Sequence, residues 1–277
     1  MNLSELHFPR SMQEFIALME KESAIQIIAG ATTFGMAQRS RYLSFDPSIA
    51  CIQYIPELAS IHKTERVISI GSTCTLATLE RLYPFDRPQA RALLRAIGTS
   101  AVRGVATIGG HIMYPKRFLS LWPLLTCLDA EVEFRTPTKT SAKNIWYLAD
   151  PEGRPSIDRG ALLTRIRIPL QSLDHLFIRK IGGEIFPEGD GAYLVSAAST
   201  DRRSLSNFKL VIAGERAFRD YEAEQRVTSS PFPLSNKTMQ AVLRQYGESI
   251  RKRGYWNAEV LLPLIAQALE DLQRTRA

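Results

Sequence analysis

The first regular hydrophobic pattern lies in residues 11–23, SMQEFIALMEKES, where apolar side chains recur at the spacing of one helical face. Ser11 followed three residues later by Glu14 matches a capping box, so a helix should begin there. The runs AIQIIAGATTFG and SIACIQYI are short and apolar, which is typical of buried strands. Residues 1–60 are therefore predicted to form a small α/β lobe.

Residues 61–170 alternate strand and helix patterns. RVISIGSTCTLATLE predicts a strand, a turn and a helix capped by Thr75, and PQARALLRAIG predicts a helix that ends at Gly98. SLWPLLTCLDAEVEFRT predicts a short buried helix and a strand, and Pro123 is tolerated in its first turn if Ser120 caps the helix. ALLTRIRIPL predicts another strand. The mixed lengths favour an α+β lobe.

Residues 171–277 are predicted to form an α+β C-terminal domain with a three-stranded sheet and helices. The strands are HLFIRKIGG, GAYLVSAAST and FKLVIAGE. A linker rich in proline and serine, RVTSSPFPLSNKT, should precede two final helices, MQAVLRQYGESIRK and YWNAEVLLPLIAQALEDLQRT. The fold class is therefore α+β, with two lobes, 1–60 and 61–170, followed by this domain.

Composition narrows the class of protein. Hydrophobic residues make up 45% of the 277 residues and charged residues 23%, which is ordinary for a soluble globular protein. No apolar run approaches the roughly 20 residues that a membrane span needs, and the N-terminus shows no apolar signal-peptide core. The three cysteines are far apart and form no CxxC pair, which argues against disulfides, zinc and cysteine-ligated iron–sulfur clusters. A reducing cytoplasm is the expected location.

The net charge of +7 raises the question of nucleic-acid binding. The basic residues are scattered, however, and no nucleic-acid motif accompanies them. A nucleic-acid-binding module would require salt-sensitive binding to DNA or RNA, and we expect none. An acidic partner subunit or an anionic cofactor accounts for the charge equally well.

Motifs of self-contained catalysis are missing from the sequence. It contains no GxSxG, HExxH, P-loop or GxGxxG motif, and its four histidines have no metal-ligand spacing. No catalytic residue and no metal ligand is therefore predicted.

Two loops of small residues, Ala29–Thr33 and Thr107–His111, each follow a predicted strand. Small side chains leave successive backbone N–H groups uncovered, and such groups bind phosphate oxygens. Two such loops, one in each lobe, could clamp a diphosphate. The alternative is that each loop is simply a tight turn.

An ordered series of segments resembles one known family. The segments are IIAGATTF near residue 30, ISIGSTCTLATLE near 70, AVRGVATIGGHI near 105, LLTCLDAEVEF near 130 and LLTRIRIP near 165. Their order and spacing are similar to the FAD-binding subunit or domain of molybdenum hydroxylases, the relatives of xanthine dehydrogenase and carbon monoxide dehydrogenase flavoproteins. The segment ESIRKRGYWNAEVLLPLIAQALEDL resembles the last helix pair of that family, so the resemblance covers nearly the whole chain.

The resemblance implies a two-lobed FAD-binding fold and an oxidoreductase component that transfers electrons. Electrons would come from iron–sulfur centres on a partner subunit and pass to NAD or another acceptor, while a molybdopterin subunit holds the substrate. The implied FAD contacts are the two loops, the strand before the first loop and single positions further on: Ile27, Ile28, Ala29, Gly30, Ala31, Thr32, Thr33, Phe34, Ile97, Thr107, Gly109, Gly110, His111, Ser120, Leu163 and Lys180.

Four of these positions depart from the family pattern. Ala31 stands in place of a glycine, Thr33 and Ser120 in place of aspartates, and His111 in place of an asparagine. The ring of His111 would donate to a phosphate or flavin oxygen, or else be a capping or exposed loop residue. Because lost polar contacts weaken a cofactor site, the alternative function is a flavin-free structural or assembly subunit of the same kind of complex.

Overall fold

The computed structural model describes residues 5–22, 25–32, 35, 48–158, 160–182, 191–201 and 204–274. They form three sheets and several helices, which confirms the predicted α+β class. None of the described helices combines the length and the hydrophobicity needed to cross a lipid bilayer.

The N-terminal lobe is a small parallel sheet with one covering helix. In the sheet, of order β1-β3-β2, both strand pairs are parallel. The elements are β1 (Glu5–His7), α1 (Met12–Lys21), β2 (Gln26–Ile28) and β3 (Ser48–Cys51). The predicted N-cap of α1 is confirmed, because Ser11 Oγ accepts from Glu14 N at 3.2 Å. The Glu14 carboxylate accepts from Arg10 N at 2.8 Å, one residue before the N-cap N–H that a capping box uses. The second predicted strand is shorter than expected, since the chain turns into 3₁₀ helices at Ile52–Tyr54 and Pro56–Ala59.

The middle lobe is a five-stranded antiparallel sheet of order β4-β5-β8-β6-β7, with short helices packed on it. Its strands are β4 (Ile61–Lys63), β5 (Val67–Gly71), β6 (Glu131–Arg135), β7 (Thr140–Asn144) and β8 (Leu162–Pro169). Its helices are α2 (Leu76–Leu79), α3 (Pro88–Arg95), α4 (Ser100–Val105), α5 (Ile108–Ile112), α6 (Leu121–Cys127) and a 3₁₀ turn at Ile145–Leu148. Thr75 caps α2 and Gly98 has the positive φ of a helix terminator, as the sequence predicts.

The C-terminal part is an antiparallel sheet of order β12-β11-β10-β9 with three helices. The elements are β9 (His175–Ile181), β10 (Ala192–Asp201), β11 (Ser204–Ala213), β12 (Ala217–Phe218), α7 (Tyr221–Ser229), α8 (Asn236–Arg253) and α9 (Ala258–Arg274). The prediction of three strands was wrong, because the two-residue β12 adds a fourth. The predicted linker was also too long: α7 extends into it. That helix buries Ala223, Glu224 and Val227, too few apolar side chains for its pattern to be recognised.

The middle lobe and the C-terminal sheet share one core. Val195 and Ala197 of β10 and Val211 of β11 pack into the same cluster as the middle-lobe helices. Lys209 pairs with Asp129 across this boundary, and Phe118 N donates to Gly214 O at 2.7 Å. The division at residues 60 and 170 stays a prediction.

A buried ion pair fixes α7 to the C-terminal sheet. The Arg219 guanidinium donates to both carboxylate oxygens of Glu224 at 2.9 Å, and Glu224 also accepts from Leu210 N at 3.0 Å. Both side chains are less than a tenth exposed. Removing the carboxylate would leave the buried guanidinium and the Leu210 N–H without their acceptor.

We therefore expect Glu224→Ala to lower the free energy of unfolding by about 3–5 kcal/mol, measured by urea denaturation. The control is Glu222→Ala on the same helix, where the carboxylate is exposed and the change should stay within about 0.5 kcal/mol. Equal losses in the two variants would contradict the role given to this ion pair.

Candidate functional site

The first loop of small residues contacts the middle lobe just before the second loop begins. Gly30 follows β2, and a Cβ atom at this position would lie 1.9 Å from Val105 O and 3.3 Å from Ala106 Cα. No real side chain fits at such distances, so the backbone after β2 lies directly on the end of α4.

The first loop has backbone donors that the rest of the described chain leaves unused. Ala31 has a φ of +51°, and the chain then turns so that Gly35 N donates to Ala31 O at 2.9 Å. Hydrogen bonds between described residues use none of the N–H groups of Gly30, Ala31 and Thr32. Successive free N–H groups in a bent segment suit an anion. Thr33, the last residue of this loop, and the next predicted contact, Phe34, lie outside the described residues.

The second loop does not follow a strand, and this prediction was wrong. Residues 100–105 form α4 and residues 108–112 form α5. The physical reason is local capping: Thr99 Oγ1 accepts from Val102 N at 3.3 Å, and Thr107 Oγ1 accepts from Gly110 N at 3.2 Å. A single isolated bridge between Thr75 and Thr107 is the β structure that remains there.

Inside the protein, the first N–H groups of α5 already have acceptors. The bonds are Ile108 N to Cys74 O (3.0 Å), Gly109 N to Ser72 O (2.8 Å), Gly110 N to Thr107 Oγ1 (3.2 Å) and His111 N to Thr107 O (3.0 Å). A Cβ atom at Gly109 would lie 2.7 Å from Ser72 O, so this glycine also permits a close approach. The second loop thus uses its N–H groups to hold the segment after β5. The N–H groups of the first loop have no such use among the described residues.

The segment after β5 carries two hydroxyl groups that the sequence patterns did not predict as part of the site. Ser72 Oγ and Thr73 Oγ1 are buried and form no hydrogen bond with any described residue. Both follow β5, and Ser72 Cβ lies beside Gly109. The run GSTCT, small and hydroxyl-rich directly after a strand, was the pattern that could have revealed them.

His111 is buried and turned toward α6. Its Nε2 accepts from Leu121 N at 3.3 Å and lies 3.4 Å from Ser120 Oγ. Burial lowers the pKa of His111 to about 3, so the ring is neutral at physiological pH. Ser120 was expected to cap α6, but its side chain makes no capping bond. The His111 ring takes this role, because it accepts from the first N–H group of the helix.

The remaining predicted residues are spread over the fold. Ile27 and Ile28 lie on β2 directly before Gly30. Ile97 lies in the turn after α3, whose carbonyls accept from the Arg103 guanidinium. Leu163 is buried in the middle-lobe core opposite Phe134, and Lys180 lies on β9 opposite Tyr193. The structure thus places the first loop against the residues that precede the second, and places Leu163 and Lys180 on two other sheets.

Comparison with known families gives one extended match. The family described as "FAD binding domain in molybdopterin dehydrogenase" matches residues 2–171. Aldehyde oxidase 2 of Cavia porcellus is 32% identical over 174 residues, which is 58% of this chain and 13% of that protein. Xanthine dehydrogenase/oxidase of Gallus gallus is 29% identical over 128 residues, 42% of this chain and 9% of that protein. The chain thus spans a small fraction of these curated relatives.

Solved structures share the fold over nearly the whole chain. A chain of quinoline 2-oxidoreductase from Pseudomonas putida 86 superposes with a TM-score of 0.79 at 16% identity, covering 99% of this chain and 98% of its own. A chain of the Cu,Mo-CO dehydrogenase superposes with a TM-score of 0.77 at 17% identity, with 98% coverage of both. At these identities the likeness establishes the fold.

The close approach at Gly30 predicts a steric cost. Gly30→Ala should lower the free energy of unfolding by about 1–3 kcal/mol, because the added carbon meets backbone rather than a movable side chain. Gly104→Ala, on the facing helix with nothing within 4 Å of the new carbon, should be neutral or stabilising. Urea denaturation measures both variants, and a harmless Gly30→Ala would contradict the packing at the junction.

Burial of His111 predicts a dependence of stability on pH. The folded pKa of His111 is about 3, below its ordinary value of 6.5. As the pH falls below 6.5, the unfolded chain therefore binds a proton at this ring that the folded chain does not bind. From pH 7.5 to pH 5 this should remove about 2 kcal/mol of stability, a loss that His111→Asn abolishes.

The readout is the difference in free energy of unfolding between the two pH values, which separates protonation from any general loss of packing. Burial lowers the pKa of His175 to about 4, and its similar contribution remains in the variant. Exposed His62→Asn is the control and should leave the pH dependence unchanged. An unchanged dependence in His111→Asn would show that this ring is not buried as described.

Proposed function

Because the chain belongs to the family of FAD-binding domains of molybdopterin dehydrogenases, we propose that it is the flavin-binding electron-transfer component of a molybdenum hydroxylase complex. Electrons would reach it from an iron–sulfur subunit, and a molybdopterin subunit would carry out the substrate chemistry. NAD or another acceptor would receive the electrons. The acceptor, the xanthine dehydrogenase-like identity and a cytoplasmic location stay predictions.

The observation that carries this proposal is that hydrogen bonds between described residues leave the N–H groups of Gly30, Ala31 and Thr32 unused. A diphosphate is doubly charged and needs such donors, so this loop fits the central part of FAD. The buried hydroxyls of Ser72 and Thr73, which lack described partners, are suited to accept or donate further hydrogen bonds to a ligand. The residues present therefore fit the cofactor at its diphosphate.

The other predicted contacts follow from this placement. Ile27 and Ile28 before the loop, Thr33 at its end and Phe34 after it would line the dinucleotide. Further contacts are proposed at Ile97, Thr107, Gly109, Gly110, His111, Ser120, Leu163 and Lys180. Because the N–H groups of Gly109, Gly110 and His111 donate to Ser72 and Thr107, their contribution would be to hold the segment after β5 in place.

Bound FAD supplies one- and two-electron redox chemistry. The chain itself would bind the cofactor, orient it and exclude water. The buried, neutral His111 accepts from Leu121 N, so its Nε2 is not available to move a proton. No acid–base residue is needed for electron transfer.

One observation favours the flavin-free subunit as a second candidate. Only the first of the two expected loops presents unused N–H groups among the described residues, and His111 is directed at α6 instead of an open site. A purified protein that is colourless and takes up no FAD, alone or with its partner chains, would favour this candidate.

A matched pair of variants tests the proposed diphosphate contact. Asparagine and aspartate both tolerate the positive φ of Ala31, whose side chain is exposed. Ala31→Asp would place a negative charge beside the diphosphate and should weaken FAD binding at least about tenfold relative to Ala31→Asn. Quenching of flavin fluorescence during titration measures both affinities.

Riboflavin, which lacks the diphosphate, is the control ligand, and the two variants should bind it equally. Equal FAD affinity in the two variants would place the diphosphate elsewhere. A loss of riboflavin binding in Ala31→Asp would point to a general disturbance of the loop and not to charge repulsion.

A further inference from the structure

Three side chains that are remote in sequence converge at the edge of the N-terminal lobe. Glu5 and His7 lie on β1, and Glu22 follows the last residue of α1. Their ligand atoms all lie within 4.8 Å of one another. His7 Nε2 is 3.2 Å from Glu22 Oε1 and 3.7 Å from Glu5 Oε2. We propose that these residues form a binding site for a divalent transition cation of the zinc type.

The geometry at His7 distinguishes this site from a simple hydrogen bond. Its Nε2 atom is shielded from solvent and forms no hydrogen bond with any described residue, although Glu22 Oε1 is only 3.2 Å away. The carboxylate oxygen therefore lies off the axis along which the ring nitrogen would donate. Two ligand atoms of one cation lie close together without hydrogen-bond alignment, because each is directed at the metal and not at the other ligand atom.

The separations also fit the size of the ion. Zinc binds histidine nitrogen and carboxylate oxygen at about 2.0–2.2 Å, so adjacent ligands of a tetrahedral site lie about 3.3–3.6 Å apart. The two contacts of Nε2 lie close to this range. An imidazole with two carboxylates suits zinc better than calcium or magnesium, which prefer oxygen ligands alone.

A cation here would join two elements that few other contacts hold. β1 is an edge strand of only three residues, and Glu22 lies where α1 ends. A metal bond between them would fasten the edge of the sheet to the helix. Glu5 is largely exposed, whereas His7 and Glu22 are each 27% exposed, so a remaining coordination position faces water.

The test is calorimetric titration of the EDTA-treated, tag-free full chain with Zn²⁺. We expect one Zn²⁺ per chain, and His7→Ala should lower the affinity at least about 100-fold. His62→Ala, an exposed histidine on β4, is the control and should bind as the original chain does. Addition of Zn²⁺ should raise the thermal midpoint of the original chain and of the His62 variant, but not of Glu22→Gln.

Co²⁺ provides a second readout, because its visible absorption reports coordination by the ring and the carboxylates. Glu22→Gln keeps the size of the side chain, so it decides the question if His7→Ala does not fold. The proposal is overturned if the chain binds no stoichiometric Zn²⁺. It is also overturned if Zn²⁺ binds the His7 and Glu22 variants with unchanged affinity, since the ion would then be held at another place.

Discussion

The contact of backbone on backbone at Gly30 is the constraint on which the site depends. The chain after β2 approaches the Val105 carbonyl so closely that only hydrogen fits on the intervening α carbon. Similar approaches recur at Gly71, which lies against Leu58 O, and at Gly109, which lies against Ser72 O. These contacts set short segments of the backbone directly against one another. Beside the contact at Gly30, hydrogen bonds between described residues leave the three N–H groups of residues 30–32 unused.

The two loops that look alike in sequence differ in what they do. Both are small and glycine-containing, but the donors of the second are used by Cys74, Ser72 and Thr107. The first has no such acceptors among the described residues. We infer that the two loops have different roles. The second is held by hydrogen bonds within the protein, and the first binds the ligand. The neutral, buried ring of His111 belongs to this support, because it fixes the start of α6.

Much of the fold could be predicted because its elements carry local information. Ser11 and Thr75 cap helices, and the apolar runs of β5 and β8 are buried strands, as expected. The helices at residues 100–112 could not be predicted. The run of small and β-branched residues there suggests a strand, but Thr99 and Thr107 cap two short helices within it. The small residues identified the two loops, and the resemblance to the family assigned FAD to them. It could not reveal which N–H groups the fold uses internally, nor the hydroxyls of Ser72 and Thr73. Nor could spacing reveal Glu22 beside His7, since only the folded chain brings the end of α1 next to β1.

Hydrogen–deuterium exchange with and without FAD tests whether the first loop is the one that binds the cofactor. We expect FAD to slow exchange of the amides of residues 30–32 and to leave those of residues 108–111 nearly unchanged, because the latter are already hydrogen-bonded within the protein. Slower exchange at residues 108–111 with no change at residues 30–32 would contradict this expectation, because the second loop would then be the one that meets the cofactor.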